Sequence, residues 1–209
     1  MKKYEQTSET KVINGVELHR IKALESFGNI KEGDLGGWIE DEKNLSQDGD
    51  SWVYDNATVR GYANVGGDAK VGGYSWVCEN AIVYGNAIVY GNAVVCGNAK
   101  VDGNVRVGGD ATVRGNAKVY NNAWVRGNTR VVGDATVGGD ADYIVFKNWW
   151  SSGRYFTWTR SNNKWNVGCF YGSGEELIAK AYKDSEKSGR EYERVVKYVE
   201  SILKEENNK

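Results

Sequence analysis

Valine recurs at every sixth position from residue 53 to residue 137, without a gap, over fifteen consecutive units. The unit reads Val-x-Gly-Asn/Asp-Ala-x, where x varies. A fixed six-residue period around an aliphatic residue is typical of a parallel β-helix, in which each short strand lies beside a strand of the previous coil. The repeat therefore predicts a stack of coils rather than a globular core.

Each position of the unit has a physical role. Valine is β-branched and apolar, which suits an inward-facing residue in the middle of a short strand. The position two residues before the next valine is alanine in twelve of the fifteen units, so we expect only a small side chain to fit there. In most units Asn or Asp stands directly before this small residue, and Gly stands directly before the Asn or Asp. These residues tolerate the positive φ of a corner, so the unit predicts one strand and one corner.

The repeat resembles the hexapeptide family, whose members are three-sided, left-handed parallel β-helices. The left-handed coil is implied by this resemblance alone, since the general rule for crossovers between parallel strands would give a right-handed one. Three units would close one coil, so the repeats predict about five regular coils. The predicted fold is mainly β. It has an N-terminal hairpin and cap at 1–52, a left-handed β-helix at 53–141 and an aromatic-rich α+β domain at 142–209.

Composition and charge limit the possible partners. The chain has 40% hydrophobic and 26% charged residues, as soluble folded proteins do, and its formal net charge is −1. We therefore expect no bulk attraction to nucleic acid and no membrane association, and any anion or nucleotide site must be local. The first residues lack the apolar segment of a signal peptide. This absence, together with three cysteines that do not form a paired framework, predicts a cytoplasmic protein.

Three cysteines are present, Cys78, Cys96 and Cys169, and they do not make a paired framework. Cys78 and Cys96 are eighteen residues apart and are expected to lie on the same face, near enough for a disulfide. We interpret them as packing residues. No further ligand is close in sequence, so no zinc site, other metal site or cofactor is predicted.

The segment before the repeats predicts a hairpin and a cap. Asn14-Gly15 is a strong two-residue turn signal between alternating apolar residues. Ile39 and Leu45 are six residues apart but out of register with Val53, which indicates an irregular capping coil. Such a coil would protect the strand edges at the end of the stack.

Three motifs before the repeats carry a second resemblance. Leu-His-Arg-Ile-Lys-Ala begins at residue 18, Lys-Glu-Gly-Asp-Leu-Gly-Gly-Trp at residue 31 and Asn-Leu-Ser-Gln at residue 44. With the Gly-Asn-Ala repeats, they resemble a family of uncharacterised bacteriophage and prophage proteins, over about the first two thirds of the chain. The resemblance implies a viral origin and action in the host cytoplasm.

An apolar belt is predicted on the outer surface of the coils. Its residues take successive outward positions around one coil, or flank those positions: Trp76, Ile82, Tyr84, Ile88, Tyr90 and Val94. A contiguous apolar surface usually marks an interface. Left-handed β-helices of this superfamily are commonly trimers, so the belt predicts a homotrimer. The alternative is that the C-terminal segment folds back over the belt.

After residue 141 the pattern changes to strands and helices. Segments 143–146, 154–160 and 164–171 are aromatic-rich and separated by turn residues, which predicts a three-stranded antiparallel meander. Ser173-Gly-Glu-Glu176 is a capping box that opens a helix to about residue 184. A second helix is predicted from Arg190 to about residue 205, with Gly189 as the break between the two.

Cationic and aromatic residues alternate within this segment. Five of them fall within twelve residues and form the first predicted ligand or partner site: Arg154, Trp158, Arg160, Lys164 and Trp165. Aromatic rings can stack on bases while cations hold phosphates. The alternative is that the aromatic residues form the core of the meander. A second group of candidates lies on the last coils: Arg114, Tyr120, Trp124, Arg126 and Arg130.

The sequence argues against an enzyme. Hexapeptide acyltransferases typically use a histidine base, and the related carbonic anhydrases need three histidine ligands, whereas His19 is the one histidine of this chain. No unit between residues 53 and 137 carries an insertion that could build a substrate pocket. We therefore expect no catalytic residues and no enzymatic activity.

The predicted function is that of a non-catalytic phage binding protein acting inside the infected host. It would occupy a host protein, such as a defence factor, or sequester a small nucleotide-like signal. A structural or assembly scaffold is the first alternative, and an acyltransferase-like hexapeptide enzyme is the second.

Overall fold

The structure is a computed structural model that describes residues 2–207, so residue 1 of the predicted segment 1–52 and residues 208 and 209 of segment 142–209 lie outside the described residues. The chain divides into two compact units, Met1–Asp142 and Tyr143–Lys209. We call them the N-terminal unit and the C-terminal unit.

The N-terminal unit begins with the predicted hairpin. Strands β1 (Tyr4–Ile13) and β2 (Val16–Ala23) are antiparallel, and strand β3 (Leu35–Ile39) pairs antiparallel with β2. Asn14 and Gly15 form the turn with φ of 53° and 78°, the left-handed conformation that Asn and Gly tolerate best. The predicted hairpin is confirmed, and its first strand starts earlier in the chain than the turn signal alone indicated.

The valine repeat forms fifteen two-residue strands, each ending at its valine. They are β4 (Trp52–Val53), β5 (Thr58–Val59), β6 (Asn64–Val65), β7 (Lys70–Val71), β8 (Trp76–Val77), β9 (Ile82–Val83), β10 (Ile88–Val89), β11 (Val94–Val95), β12 (Lys100–Val101), β13 (Arg106–Val107), β14 (Thr112–Val113), β15 (Lys118–Val119), β16 (Trp124–Val125), β17 (Arg130–Val131) and β18 (Thr136–Val137). All fifteen valines are buried. Because each valine is β-branched and faces the interior, the column of valines forms the core of the coils.

Strands eighteen residues apart pair in parallel and make three sheets. Sheet 1 has the order β1-β2-β3-β5-β8-β11-β14-β17, so the hairpin extends one face of the coils. Sheet 2 has the order β16-β13-β10-β7-β4, and sheet 3 has the order β18-β15-β12-β9-β6. The predicted β-helix of stacked parallel coils is confirmed.

The cap adds a further coil with a different spacing. Ile39 pairs beside Val59 and Leu45 forms a bridge to Val65, so each is twenty residues from its partner instead of eighteen. The short 3-10 helix Glu42–Asn44 lies between them, and Asn44 Nδ2 donates to the carbonyl oxygen of Ala63 at 2.7 Å. Two extra residues before Val53 therefore explain why the cap is out of register in the sequence.

The interpretation of Cys78 and Cys96 as packing residues is wrong, because the two form a disulfide. They follow the valines of β8 and β11, which are adjacent in sheet 1, and their Cα atoms are 4.7 Å apart. Cys169 is a free, exposed cysteine. The prediction of a host-cytoplasm location rested in part on unpaired cysteines, and the disulfide removes that support. No helix among residues 2–207 is long and apolar enough to span a membrane.

The C-terminal unit is an antiparallel sheet with two helices. Its strands are β19 (Tyr143–Lys147), β20 (Tyr155–Thr159), β21 (Lys164–Val167) and β22 (Phe170–Gly172), paired in chain order. The predicted meander is confirmed but has four strands instead of three. The last predicted strand divides because Gly168, with φ of 59°, turns the chain so that Val167 pairs with Phe170.

The helices are α1 (Gly174–Asp184) and α2 (Glu186–Asn207). The predicted capping box at Ser173 and Glu176 is confirmed. The predicted break at Gly189 is wrong, because the chain leaves the helical conformation at Ser185 and Gly189 lies inside α2. A Cβ atom at Gly189 would collide with the ring of Tyr182, so this glycine permits close packing of the two helices.

Candidate functional site

Two members of the predicted cation-aromatic site are core residues of the C-terminal unit. Trp158 and Trp165 are each 1% exposed and pair across β20 and β21. They belong to a buried cluster with Phe156 and with apolar residues of both helices, including Leu177 and Val196. Their ring faces are occupied by this packing, so the alternative interpretation of these aromatic residues as a core accounts for both tryptophans.

The remaining three cations of that predicted site have different surroundings. Arg160 forms an ion pair with Glu206, at 2.5 Å between Nη1 and Oε2, and its guanidinium lies 5.9 Å from the Trp158 ring centre. Lys164 is half-buried. The backbone N–H of Ser173 and, next, the charge of Lys164 lower the pKa of Glu176. Arg160 and Lys164 thus interact with acidic residues of the C-terminal unit itself, whereas Arg154 lines a cleft.

Arg154 lines a cleft of about 190 Å³ in the C-terminal unit. The residues around it come from the loop after β19, from β20, from the β21–β22 turn and from α2: Asn148, Ser152, Arg154, Tyr155, Val167, Gly168, Cys169 and Tyr192. Of these residues, Arg154 alone was predicted from the sequence as a site residue.

Asn148 shapes the loop that carries Arg154. Its Nδ2 donates to the hydroxyl of Tyr192 at 2.8 Å, and its Oδ1 accepts from the backbone N–H of Ser151 at 2.9 Å. Its own N–H donates to the carbonyl oxygen of Arg154, and its carbonyl accepts from Gly153, both at 2.8 Å. Because Asn148 is 3% exposed and all its polar groups are bonded, the loop has a defined conformation.

The cleft has one cationic side chain, Arg154, and two aromatic ones, Tyr155 and Tyr192. The guanidinium of Arg154 is exposed and has no hydrogen bond or ion pair to any residue in the range 2–207. The ammonium of Lys147 lies 5.7 Å from the ring centre of Tyr155, which is 42% exposed. Burial raises the pKa of the Tyr192 phenol, whose oxygen accepts a hydrogen bond from Asn148 Nδ2. The arrangement can hold an anionic group beside an open aromatic ring.

Sequence reasoning missed Asn148 and Tyr192 as parts of this cleft. Tyr192 follows the apolar pattern of α2 and reads as a core residue, and it lies forty-four positions from Asn148. One local signal was present. The Asn148-Trp-Trp-Ser-Ser-Gly153 stretch has turn residues at both ends, which is the pattern of a loop held by an Asn side chain.

The second group of candidates is spread over all three sheets. Arg114 and Arg130 belong to sheet 1, Tyr120 follows a strand of sheet 3, and Trp124 and Arg126 lie at a strand of sheet 2. Arg114 pairs with Glu79 at 3.7 Å, and the guanidinium of Arg126 lies 4.4 Å from the Trp124 ring centre. The structure therefore brings Trp124 and Arg126 together but does not assemble these five residues into one site.

The six belt residues lie on three sheets. Trp76 and Val94 are neighbours on sheet 1, Ile82 is on sheet 3 and Ile88 is on sheet 2. Ile82, Tyr84 and Tyr90 are 38%, 51% and 37% exposed, and the other three are partly buried. Each tyrosine ring covers a glycine of a neighbouring coil, Gly66 for Tyr84 and Gly108 for Tyr90. The belt is thus an apolar surface around the coils, with ring faces already partly packed.

No protein-family model matches the chain, and no curated protein matches it. Among residues 2–207, no group of three or more His, Cys, Asp and Glu side chains is placed to hold a metal ion.

Proposed function

We propose that this protein is a non-catalytic binding protein whose C-terminal unit holds the anionic group of a ligand or partner in the Arg154 cleft. The observation that carries the proposal is the exposed, unpaired Arg154 guanidinium, which lines the same cleft as Tyr155 and Tyr192 and follows a loop that Asn148 fixes. A guanidinium without an internal partner is ready to form charge-assisted hydrogen bonds with a carboxylate or phosphate.

The size of the cleft limits how a ligand can bind. Pockets that enclose a drug-sized molecule measure about 300–1,000 Å³, and this one is about 190 Å³. It has room for a phosphate or carboxylate group but not for a whole nucleotide. A base would stack outside the cleft, on the exposed ring of Tyr155.

The resemblance to phage proteins supports a role inside an infected host. An anionic site beside an open ring suits a small nucleotide-like signal, which the protein would sequester. It also suits an acidic segment of a host protein, such as a defence factor, which the protein would occupy. An acyltransferase-like activity has less support, because His19 lies on β2, opposite Ile39 of β3, and the coils carry no inserted loop.

A thermal-shift experiment tests the nucleotide form of the proposal. We expect at least one of ATP, ADP, cyclic AMP and cyclic GMP to raise the Tm of the wild-type protein, because a ligand at a hundred times its Kd stabilises the folded state by about 2.7 kcal/mol. Arg154→Ala should remove the shift without lowering the Tm of the free protein. Arg194→Ala removes another exposed arginine of the same unit and should keep the shift. Equal shifts in all three proteins would contradict the site.

A scaffold function is the second candidate, and the belt favours it. A belt on all three sheets would place an apolar contact surface around the coils, and a trimer would bury part of it. In this function the rigid coils would space or oligomerise their ends.

We expect light scattering to give three times the 23.2 kDa mass of one chain. Ile88→Glu should dissociate the trimer and leave the far-ultraviolet circular dichroism of the coils unchanged, because Ile88 points outward on sheet 2. Arg106→Glu changes the neighbouring outward position on the next coil and should leave the trimer intact. A monomeric wild-type protein would refute the belt as a self-interface.

A further inference from the structure

A second cleft lies in the N-terminal unit, between a loop of the cap and the outside of the first coils. Its volume is about 390 Å³, within the ~300–1,000 Å³ of small-molecule sites. The cap contributes a loop between β2 and β3, and the coils contribute a corner and the outer surface of sheet 2. The lining residues are Gly28, Asn29, Asp50, Tyr54, Asp68, Lys70, Asn86 and Ile88.

Hydrogen-bond acceptors form one wall. Asp50, Asp68 and Asn86 stand eighteen residues apart, one on each of three consecutive coils. Asp68 Oδ1 accepts from the backbone N–H of Asp50 at 3.1 Å. The Asn86 Nδ2 donates to Oδ1 of Asn104, on the coil away from Asp68, at 3.2 Å. The side-chain amide of Asn86 therefore donates no hydrogen bond to the Asp68 carboxylate.

At another corner of the coils, the equivalent side chains form an unbroken row of hydrogen bonds from coil to coil. There, Asn80 donates to Asn98, Asn98 to Asn116 and Asn116 to Asp134, at 3.1, 3.1 and 2.9 Å. That row ends in a carboxylate, Asp134, that accepts a hydrogen bond from its neighbour. In the cleft, the Asp68 carboxylate accepts no hydrogen bond from Asn86, so it can accept one from a ligand.

Two side-chain donors also line the cleft. Lys70 and Tyr54 make no side-chain hydrogen bond or ion pair with any residue in the described range 2–207, although two carboxylates share their cleft. A tyrosine phenol is protonated at neutral pH and can donate, and burial, followed by the charges of Asp50 and Asp55, raises the pKa of Tyr54 further. Opposite charges are thus held apart around one space instead of neutralising each other.

We propose that this cleft binds a neutral, hydroxyl-rich ligand, a saccharide unit. A phosphate would be repelled by Asp50 and Asp68, and an amine would be repelled by Lys70. A sugar hydroxyl can donate to a carboxylate and accept from the lysine ammonium, so one neutral molecule can bond both to the acceptors and to the donors of the cleft. The Tyr54 ring and the Ile88 side chain, which is also part of the belt, supply apolar surface for the C–H groups of the sugar.

Titration with neutral saccharides tests the proposal. The probes are glucose, N-acetylglucosamine, maltose and chitobiose, measured by saturation-transfer NMR and calorimetry on the full chain. We expect at least one to bind the wild-type protein. Asp68→Asn should weaken its binding about tenfold or more, because the carboxylate acceptor is lost and the new amide can donate to Asn86 instead. Asp134→Asn changes the carboxylate of the other row and should keep the affinity.

Three outcomes overturn the saccharide site. The first is that none of the four probes binds. The second is equal affinity in the wild-type and Asp68→Asn proteins. The third is that an ion binds in place of the sugars, either putrescine with its binding lost in Asp68→Asn or inorganic phosphate with its binding strengthened in Asp68→Asn, which would assign the cleft to an ion. Arg154→Ala is expected to keep saccharide binding, so this result is independent of the Arg154 cleft.

Discussion

Replacing Trp158 with alanine is expected to lower the free energy of unfolding of the C-terminal unit by about 3–5 kcal/mol, the usual cost of removing a buried aromatic side chain. Trp158 is 1% exposed, pairs with Trp165 across the sheet and donates from Nε1 to Oδ1 of Asn163 at 2.8 Å. The measurement is denaturant unfolding followed by near-ultraviolet circular dichroism. The far-ultraviolet signal of the coils should persist, because the N-terminal unit has its own core of valines.

Trp149→Ala is the matched control. Trp149 neighbours the same core in sequence but is 71% exposed, so its loss should change stability by no more than about 0.5 kcal/mol. Equal stabilities of the wild-type and Trp158→Ala proteins would mean that Trp158 is a surface residue and would return it to the candidate binding site.

Gly91→Ala is expected to destabilise the coils by more than the about 1–2 kcal/mol that a left-handed conformation costs an L-residue. Gly91 has φ of 73°, and its new Cβ would also lie 2.9 Å from the carbonyl oxygen of Gly109 on the next coil. Both atoms belong to stacked corners, so neither can move without disturbing the parallel strands. Thermal unfolding followed at far-ultraviolet wavelengths measures the effect.

Two other glycines separate strain from collision. Gly127 has φ of 64° with nothing within 4 Å of an added Cβ, so Gly127→Ala should show the conformational cost alone. Gly139 has neither a positive φ nor a close neighbour, so Gly139→Ala should cost little or stabilise slightly. A series in which all three variants unfold alike would contradict the stacked arrangement of the corners.

The regular coils were predictable because one rule repeats at every unit. The valine is buried in all fifteen units, and the corner residue two positions after it has a positive φ in fourteen of them. The left-handed coil still rests on the family resemblance, because periodicity carries no hand. The irregular segments were harder to predict from the sequence. The cap differs from the coils by two residues between Leu45 and Val53, and Gly189 permits helix packing although glycine in sequence more often signals a break.

The Arg154 cleft could be predicted only in part. Sequence proximity grouped Arg154 with Trp158 and Trp165, but alternation along β20 leaves aromatic residues on both faces of the strand. Which face the helices cover is decided by packing with residues such as Leu177 and Val196, which are distant in sequence. Asn148 and Tyr192 meet only in the folded unit. The sequence therefore grouped Arg154 with two tryptophans that the structure buries, and not with the residues that line its cleft.

Alkylation of Cys169 tests the Arg154 cleft most directly. Cys169 lines the cleft and is the one cysteine of the three that is free, so iodoacetamide under non-reducing conditions reports on this site. ATP, ADP, cyclic AMP, cyclic GMP and inorganic phosphate are the probes. We predict that at least one slows alkylation of the wild-type protein and has no effect on Arg154→Ala. Unchanged alkylation of the wild-type protein with all five probes, or equal protection in both proteins, would contradict an anion site at Arg154.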